Sequence, residues 1–187
     1  MLRLPVIAVV GVLLATPVAA DGYDDALACA QIVGDHAEAI RRCTEAINSG
    51  ELDQETLART YANRAYEHRV TKQMDKALAD ANQAVALNAN DAFAHGNLAD
   101  TYYEMNDNPA AIASYKEALR LSEAKIGAGD GDPTVGYGPL IGPLANLIDL
   151  HTEIGDDAAA RGYAQKLYAV APNVQEFFVY YDRYDLR

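Results

Sequence analysis

Tryptophan is absent from the 187 residues, and only two cysteines and three phenylalanines are present. Valine, isoleucine and threonine are sparse beside abundant alanine, so the chain after its first twenty residues favours helix over strand. Cations are scarce too: no run of lysine or arginine builds a basic patch, and the formal net charge is −12 with a pI near 4.6. This argues against nucleic acid as a partner and leaves cationic surfaces and peptides as complementary ones. With no third cysteine and no paired histidines, a zinc site has no ligand set. A Cys-x-x-Cys pair, a nucleophile elbow and a Ser-His-Asp arrangement are all missing. His36, His68, His95 and His151 are scattered, and no clustered carboxylates converge on them by spacing, so they read as substitutes for packing aromatics. The sequence therefore predicts a non-enzymatic chain with no cofactor, no metal and no evident small-molecule substrate, and its length suits one core.

What is present begins with "MLRLPVIAVVGVLLATPVAA". One cation, Arg3, precedes an apolar stretch too short and too Pro-interrupted to span a bilayer well, and Val18-Ala19-Ala20 forms a small-residue cleavage sequence. Residues 1–20 read as a secretory signal peptide removed before Asp21, with no cysteine after it to carry a lipid. Periplasmic or secreted localisation follows, with no stable membrane insertion once the signal is gone. An oxidising compartment gives the cysteines their meaning: Cys29 and Cys43, fourteen residues apart around Gly34-Asp35, are expected to form a disulfide across a helical hairpin. Two buried free thiols are the alternative.

The rest of the chain repeats. Ala77, Ala84 and Leu87 recur thirty-four residues later as Ala111, Ala118 and Leu121, and Tyr61, Asn63 and Ala65 recur as His95, Asn97 and Ala99. Such a period marks a helix-turn-helix solenoid. Small residues stand where two antiparallel helices must touch, with Ala65 expected to face Ala77 and Ala81.

The pattern resembles the tetratricopeptide repeat family over nearly all of the chain after Asp21. The second copy carries Tyr61, Ala65, Ala77 and Ala84, with Lys72 in place of the turn glycine. The third carries Leu98, Ala99, Tyr102, Ala111, Tyr115 and Ala118. The fourth carries Leu144, Leu147, Gly155, Ala160, Ala164 and Pro172, and the first, weaker, has Tyr23, Gly34, Ala39 and Ala46. The resemblance implies an all-α solenoid of about four helical hairpins, with repeats near 23–57, 58–91, 92–125 and 141–172. Between the last two lies a Gly/Pro-rich segment, 126–140, similar to the linker of kinesin-light-chain-like repeats; as a phosphate loop it lacks the Lys-Ser/Thr pair. After Pro172, Val174, Phe177, Phe178 and Tyr181 share one apolar face. This predicts a closing helix over 173–186, N-capped by Asn173, with an aromatic interaction site as the rival reading.

The same resemblance places Asn63, Asn97 and Asn146 at one position on the first helix of three copies, on the concave surface. An asparagine there can pair with a peptide backbone, as in the asparagine ladder of the tetratricopeptide part of O-linked N-acetylglucosamine transferase, or bond locally and fix helix geometry. Arg59, Tyr66 and Arg69 in the second copy and Phe93, Asp100, Tyr103 and Glu104 in the third share that face. The paired lysines of the carboxylate-clamp subfamily are missing. The expected function is an exported module or adaptor that binds a peptide or protein through its groove. The alternative is an architectural subunit of an envelope complex docked by its C-terminal aromatic helix.

Overall fold

Much of the acidic charge sits at helix starts. Asp21, Asp35, Asp53, Asp91, Asp107 and Asp156 are N-caps whose carboxylates accept from a backbone N–H two or three residues on. Each satisfies an orphan donor and places negative charge at the positive end of the helix dipole. The computed structural model describes residues 21–128 and 138–187; the expected signal peptide, 1–20, and residues 129–137 of the expected linker lie outside the described residues. The described helices are α1 (Gly22–Gln31), α2 (His36–Ser49), α3 (Gln54–Val70), α4 (Met74–Leu87), α5 (Ala92–Glu104), α6 (Asn108–Gly127), α7 (Gly138–Glu153), α8 (Asp157–Val170) and α9 (Phe178–Arg183). No strand is present among the described residues, and no described helix is long and apolar enough to cross a membrane.

The helices pair as hairpins α1–α2, α3–α4, α5–α6 and α7–α8. All four turn in the same way. Gly34, Lys72, Asn106 and Gly155 have φ of 84°, 61°, 62° and 79°, and each immediately precedes the N-cap of the hairpin's second helix. The left-handed conformation costs an L residue about 1–2 kcal/mol, which glycine escapes and asparagine eases. Lys72 is thus the strained member of the set. Lys72→Gly should stabilise the chain by up to about 1 kcal/mol, the gain being trimmed by the greater unfolded-state entropy of glycine. The lost ion pair to Glu104 is exposed on the lysine side and contributes little. Thermal melting measures the change, and an unchanged or lowered midpoint would show that the turn carries no strain at Lys72.

Consecutive hairpins stack into a solenoid, α2 on α3, α4 on α5 and α6 on α7. In the first three hairpins the contact surfaces are alanine: Ala39, Ala46, Ala58, Ala62, Ala65, Ala77, Ala81, Ala84, Ala94 and Ala99 are fully buried. The methyl groups let helices approach closely but supply little apolar area each. Charged pairs reinforce them. Arg42 bonds Asp25 at 2.7 Å across the first hairpin, and Arg64 grips Asp80 with two hydrogen bonds of 2.7 and 2.8 Å across the second.

The C-terminal half is built differently. Tyr115, Leu119, Leu140, Leu144, Leu147, Ile148, Leu150 and Leu167 join Phe177, Tyr181 and Tyr184 in one continuous core. The closing segment differs from the expected helix over 173–186. A 3-10 turn, Gln175–Phe177, leads into α9, which has only six residues, and the turn starts at Val174 without a side-chain cap rather than at Asn173. The tight turn swings Phe177 inward, so Phe177, Tyr181 and Tyr184 all reach the flank of the fourth hairpin. The Tyr181 hydroxyl donates to the Ala171 carbonyl at 2.8 Å, and its ring meets Tyr168 edge-on at 5.0 Å.

Cys29 and Cys43 are disulfide-bonded, joining α1 to α2 with Cα atoms 5.1 Å apart.

Candidate functional site

The first helix of each hairpin carries a polar and aromatic stripe at helical spacing. On α3 it runs Thr56, Arg59, Thr60, Asn63, Glu67; on α5, Phe93, Gly96, Asn97, Asp100. Residues three and four apart share a face, so each stripe faces the same side of the solenoid. α1 packs on α3 and α3 on α5, whereas α7 packs chiefly on α6 and α8. The inner surface is therefore continuous from α1 to α5 and opens into a gap between α5 and α7.

Three hollows follow this surface. One of about 460 Å³ lies among Tyr23, Leu27, Ala30, Arg59, Asn63 and Phe93. A second, of about 530 Å³, is bordered by Val33, His36, Asn63, Tyr66, Glu67 and Phe93. The third, of about 420 Å³, fills the α5–α7 gap, with Tyr115 and Ser122 of α6 contributing to its lining. Phe93 borders all three and is 47% exposed, an apolar ring held open to solvent at the centre of the groove.

The sequence-predicted residues occupy this face but differ in what they can offer. Asn63 is partly exposed between the first two hollows, and Arg59 lines the first with no ion pair among the described residues. Tyr66 is exposed, with the Arg69 guanidinium 5.3 Å from its ring centre. Arg69 itself is held in place: it bonds Glu104 at 2.7 Å and Asp100 at 3.1 Å, mostly shielded from solvent, and ties α3 to α5. Tyr103 donates to Glu153 at 3.1 Å across the α5–α7 gap. Asn97 is only 5% exposed, and its amide donates to the Phe93 carbonyl at 3.3 Å, the local bonding role rather than a free ladder position. Asn146 reaches the α5–α7 hollow beside Tyr115.

A polar chain crosses the floor of the groove: Arg69 is ion-paired with Asp100, and Asp100 accepts from the Tyr115 hydroxyl at 2.5 Å, beside Asn146. Burial pushes the Asp100 carboxyl above its usual range, against the opposing pull of Tyr115 and Arg69; burial likewise pushes the Tyr115 hydroxyl up. The histidines stay apart. His36 Nδ1 pairs with Glu67 at 2.6 Å, His95 meets the Ala89 carbonyl, and His151 packs 5.5 Å from Tyr163. Burial pushes His68 down, with Asp80 opposing.

Sequence reading missed the contribution of α1 and the turn after it, whose Tyr23, Leu27 and Val33 supply apolar wall. It also missed Gly96, Gly142 and Pro143, which shape the third hollow. The signal was available for Gly96, which lies on the helical stripe of Phe93, Asn97 and Asp100.

Comparison with known proteins bears on the fold. No curated protein matches the chain. Among solved structures it is similar to BtubC (BKLC) from P. vanneervenii, with a TM-score of 0.64 and 22% identity over 76% of this chain and 58% of that one. MamA gives a TM-score of 0.60 at 18% identity over 82% and 81% of the two chains. The C-terminal part of a TPR repeat-containing protein from Cytophaga hutchinsonii gives 0.61 at 15% identity over 85% and 58%. The chain thus spans 58% of the length of two of these structures, and at such identities the likeness is one of fold. Residues 94–125, which hold most of α5 and of α6, match the tetratricopeptide repeat family model, and the chain folds as a tetratricopeptide-type solenoid of helical hairpins.

Proposed function

We propose that the chain is an exported protein-binding module that holds an extended segment of a partner along the groove of α1, α3, α5 and α7. The observation that carries this reading is Phe93, an exposed ring shared by all three hollows, which the exposed Tyr23, Leu27 and Tyr66 also line. Large apolar side chains gathered in a concavity offer the anchoring contacts that a flat polar surface lacks. The Cys29–Cys43 disulfide supports export, since such bonds persist in oxidising compartments. Docking through the C-terminal aromatics is the weaker reading, because Phe177, Tyr181 and Tyr184 are buried against the fourth hairpin.

The test uses the natively exported protein, whose intact mass should begin at Asp21. Peptides selected on it by display are titrated against the parent and against Phe93→Ala. A central aromatic anchor contributes about 2 kcal/mol, so the variant should bind about thirty-fold more weakly with unchanged helicity. Equal affinity for the two proteins would place the binding surface elsewhere.

A further inference from the structure

The α5–α7 hollow differs from the rest of the groove in what its polar atoms have left to give. Two of its donors are engaged, Asn97 Nδ2 with the Phe93 carbonyl and the Tyr115 hydroxyl with Asp100. Its acceptors have more left to give. Asp100 accepts from Tyr115 and is ion-paired with Arg69, yet a carboxylate has about four lone-pair positions, and each asparagine keeps a carbonyl oxygen. Ser122, 3% exposed and lining the same hollow, has a buried hydroxyl with no hydrogen-bond partner among the described residues. No lysine, arginine or histidine lines the hollow among the described residues, and Asp149 lines a crevice of about 50 Å³ that adjoins it through Tyr115 and Asn146.

We infer that this hollow is the specificity pocket of the groove and takes a basic side chain, lysine or arginine, from the bound segment. This rests on the peptide-binding reading above. An ammonium or guanidinium group brings donors and no acceptor, which complements a cavity lined by a carboxylate and amide oxygens and, among the described residues, by no cation. The rings of Phe93 and Tyr115 give the cation an aromatic wall and the aliphatic stem an apolar one. Two glycines create the space: a Cβ added at Gly96 or Gly142 would meet no atom within 4 Å, so helix positions that usually carry side chains are left empty where the stem would enter. Burial raises the Asp100 carboxyl even beside Arg69, and a second cation bound in the hollow should draw it down.

The experiment is a positional-scanning library of N-acetylated, C-amidated hexapeptides, free of terminal charge, titrated on the full mature chain. Wild type should enrich lysine and arginine at one position. Replacing that residue by acetyl-lysine or norleucine in the selected peptide should weaken binding at least ten-fold. Gly96→Leu fills the pocket and improves helix propensity, so it should lose the basic preference without a fall in melting temperature. Asp100→Asn should lose it with the cavity still open. A library that binds without basic enrichment, or a preference that persists in folded Gly96→Leu, overturns this inference and leaves the groove reading standing. A library that does not bind at all overturns both.

Discussion

Replacing Tyr181 by alanine should destabilise the chain by about 3–5 kcal/mol, the usual range for truncating a large buried aromatic. The ring is fully buried, packed on Tyr168 and close to Phe178, and its hydroxyl satisfies the Ala171 carbonyl. Truncation would leave a cavity beside Leu167 and Leu147 and strip that carbonyl of its partner. For a domain of this size the midpoint should fall by roughly 6–20 °C. Tyr181→Phe, which keeps the ring and loses one hydrogen bond, should cost only about 1 kcal/mol. Val179→Ala, on the exposed side of α9, should be nearly silent. Calorimetry on the three variants checks the order. A small effect of Tyr181→Ala would mean that the fourth hairpin does not depend on the closing segment for its cover.

That segment also shows where sequence pattern stops. The spacing of Val174, Phe177 and Tyr181 identified an apolar face, but a regular helix from Asn173 would carry it past the flank of α8. Six helical residues behind a 3-10 turn place the same side chains correctly. The repeat itself was legible because alanine is needed wherever helices of neighbouring hairpins touch, and that need recurs every thirty-four residues. The turn at Lys72 was legible only by analogy with glycine in the other copies. A positive φ is imposed by the two helices it joins, and lysine adopts it against its own preference.

In the groove, position was legible and availability was not. Asn63, Asn97 and Asn146 do share a face, yet depth depends on how far apart neighbouring helices stand, and Asn97 is sunk where α5 packs closely. Arg69 looked like a free cation on that face. Its partners are Asp100 and Glu104, thirty-one and thirty-five residues away, and only the stacking of α5 on α3 brings them together. The third hollow arises from the weak contact between α5 and α7, which no spacing within either helix encodes.

Loss of the Cys29–Cys43 bond should act on one end of the molecule and, through it, on half of the groove. A loop of fourteen residues contributes about 3 kcal/mol through the entropy of the unfolded chain. α1 has ten residues, fewer than an isolated helix needs to persist, and among the described elements packs chiefly on α2 and α3. In a solenoid each unit is held by its neighbours alone, so the loss should be local. Cys29→Ser with Cys43→Ser should therefore leave α1 amides without exchange protection while those of α7 and α8 keep theirs. The two hollows walled by Tyr23, Leu27 and Val33 should disappear, and the α5–α7 hollow should remain. Peptides that need the α1 wall should bind at least ten-fold more weakly to the double variant, and to the parent protein in reductant. Hydrogen exchange read helix by helix, with titration of one selected peptide, checks both halves of the expectation. Uniform loss of protection in every helix would show that the chain unfolds as one unit, and unchanged protection in α1 would show that its packing on α2 and α3 holds it without the bond.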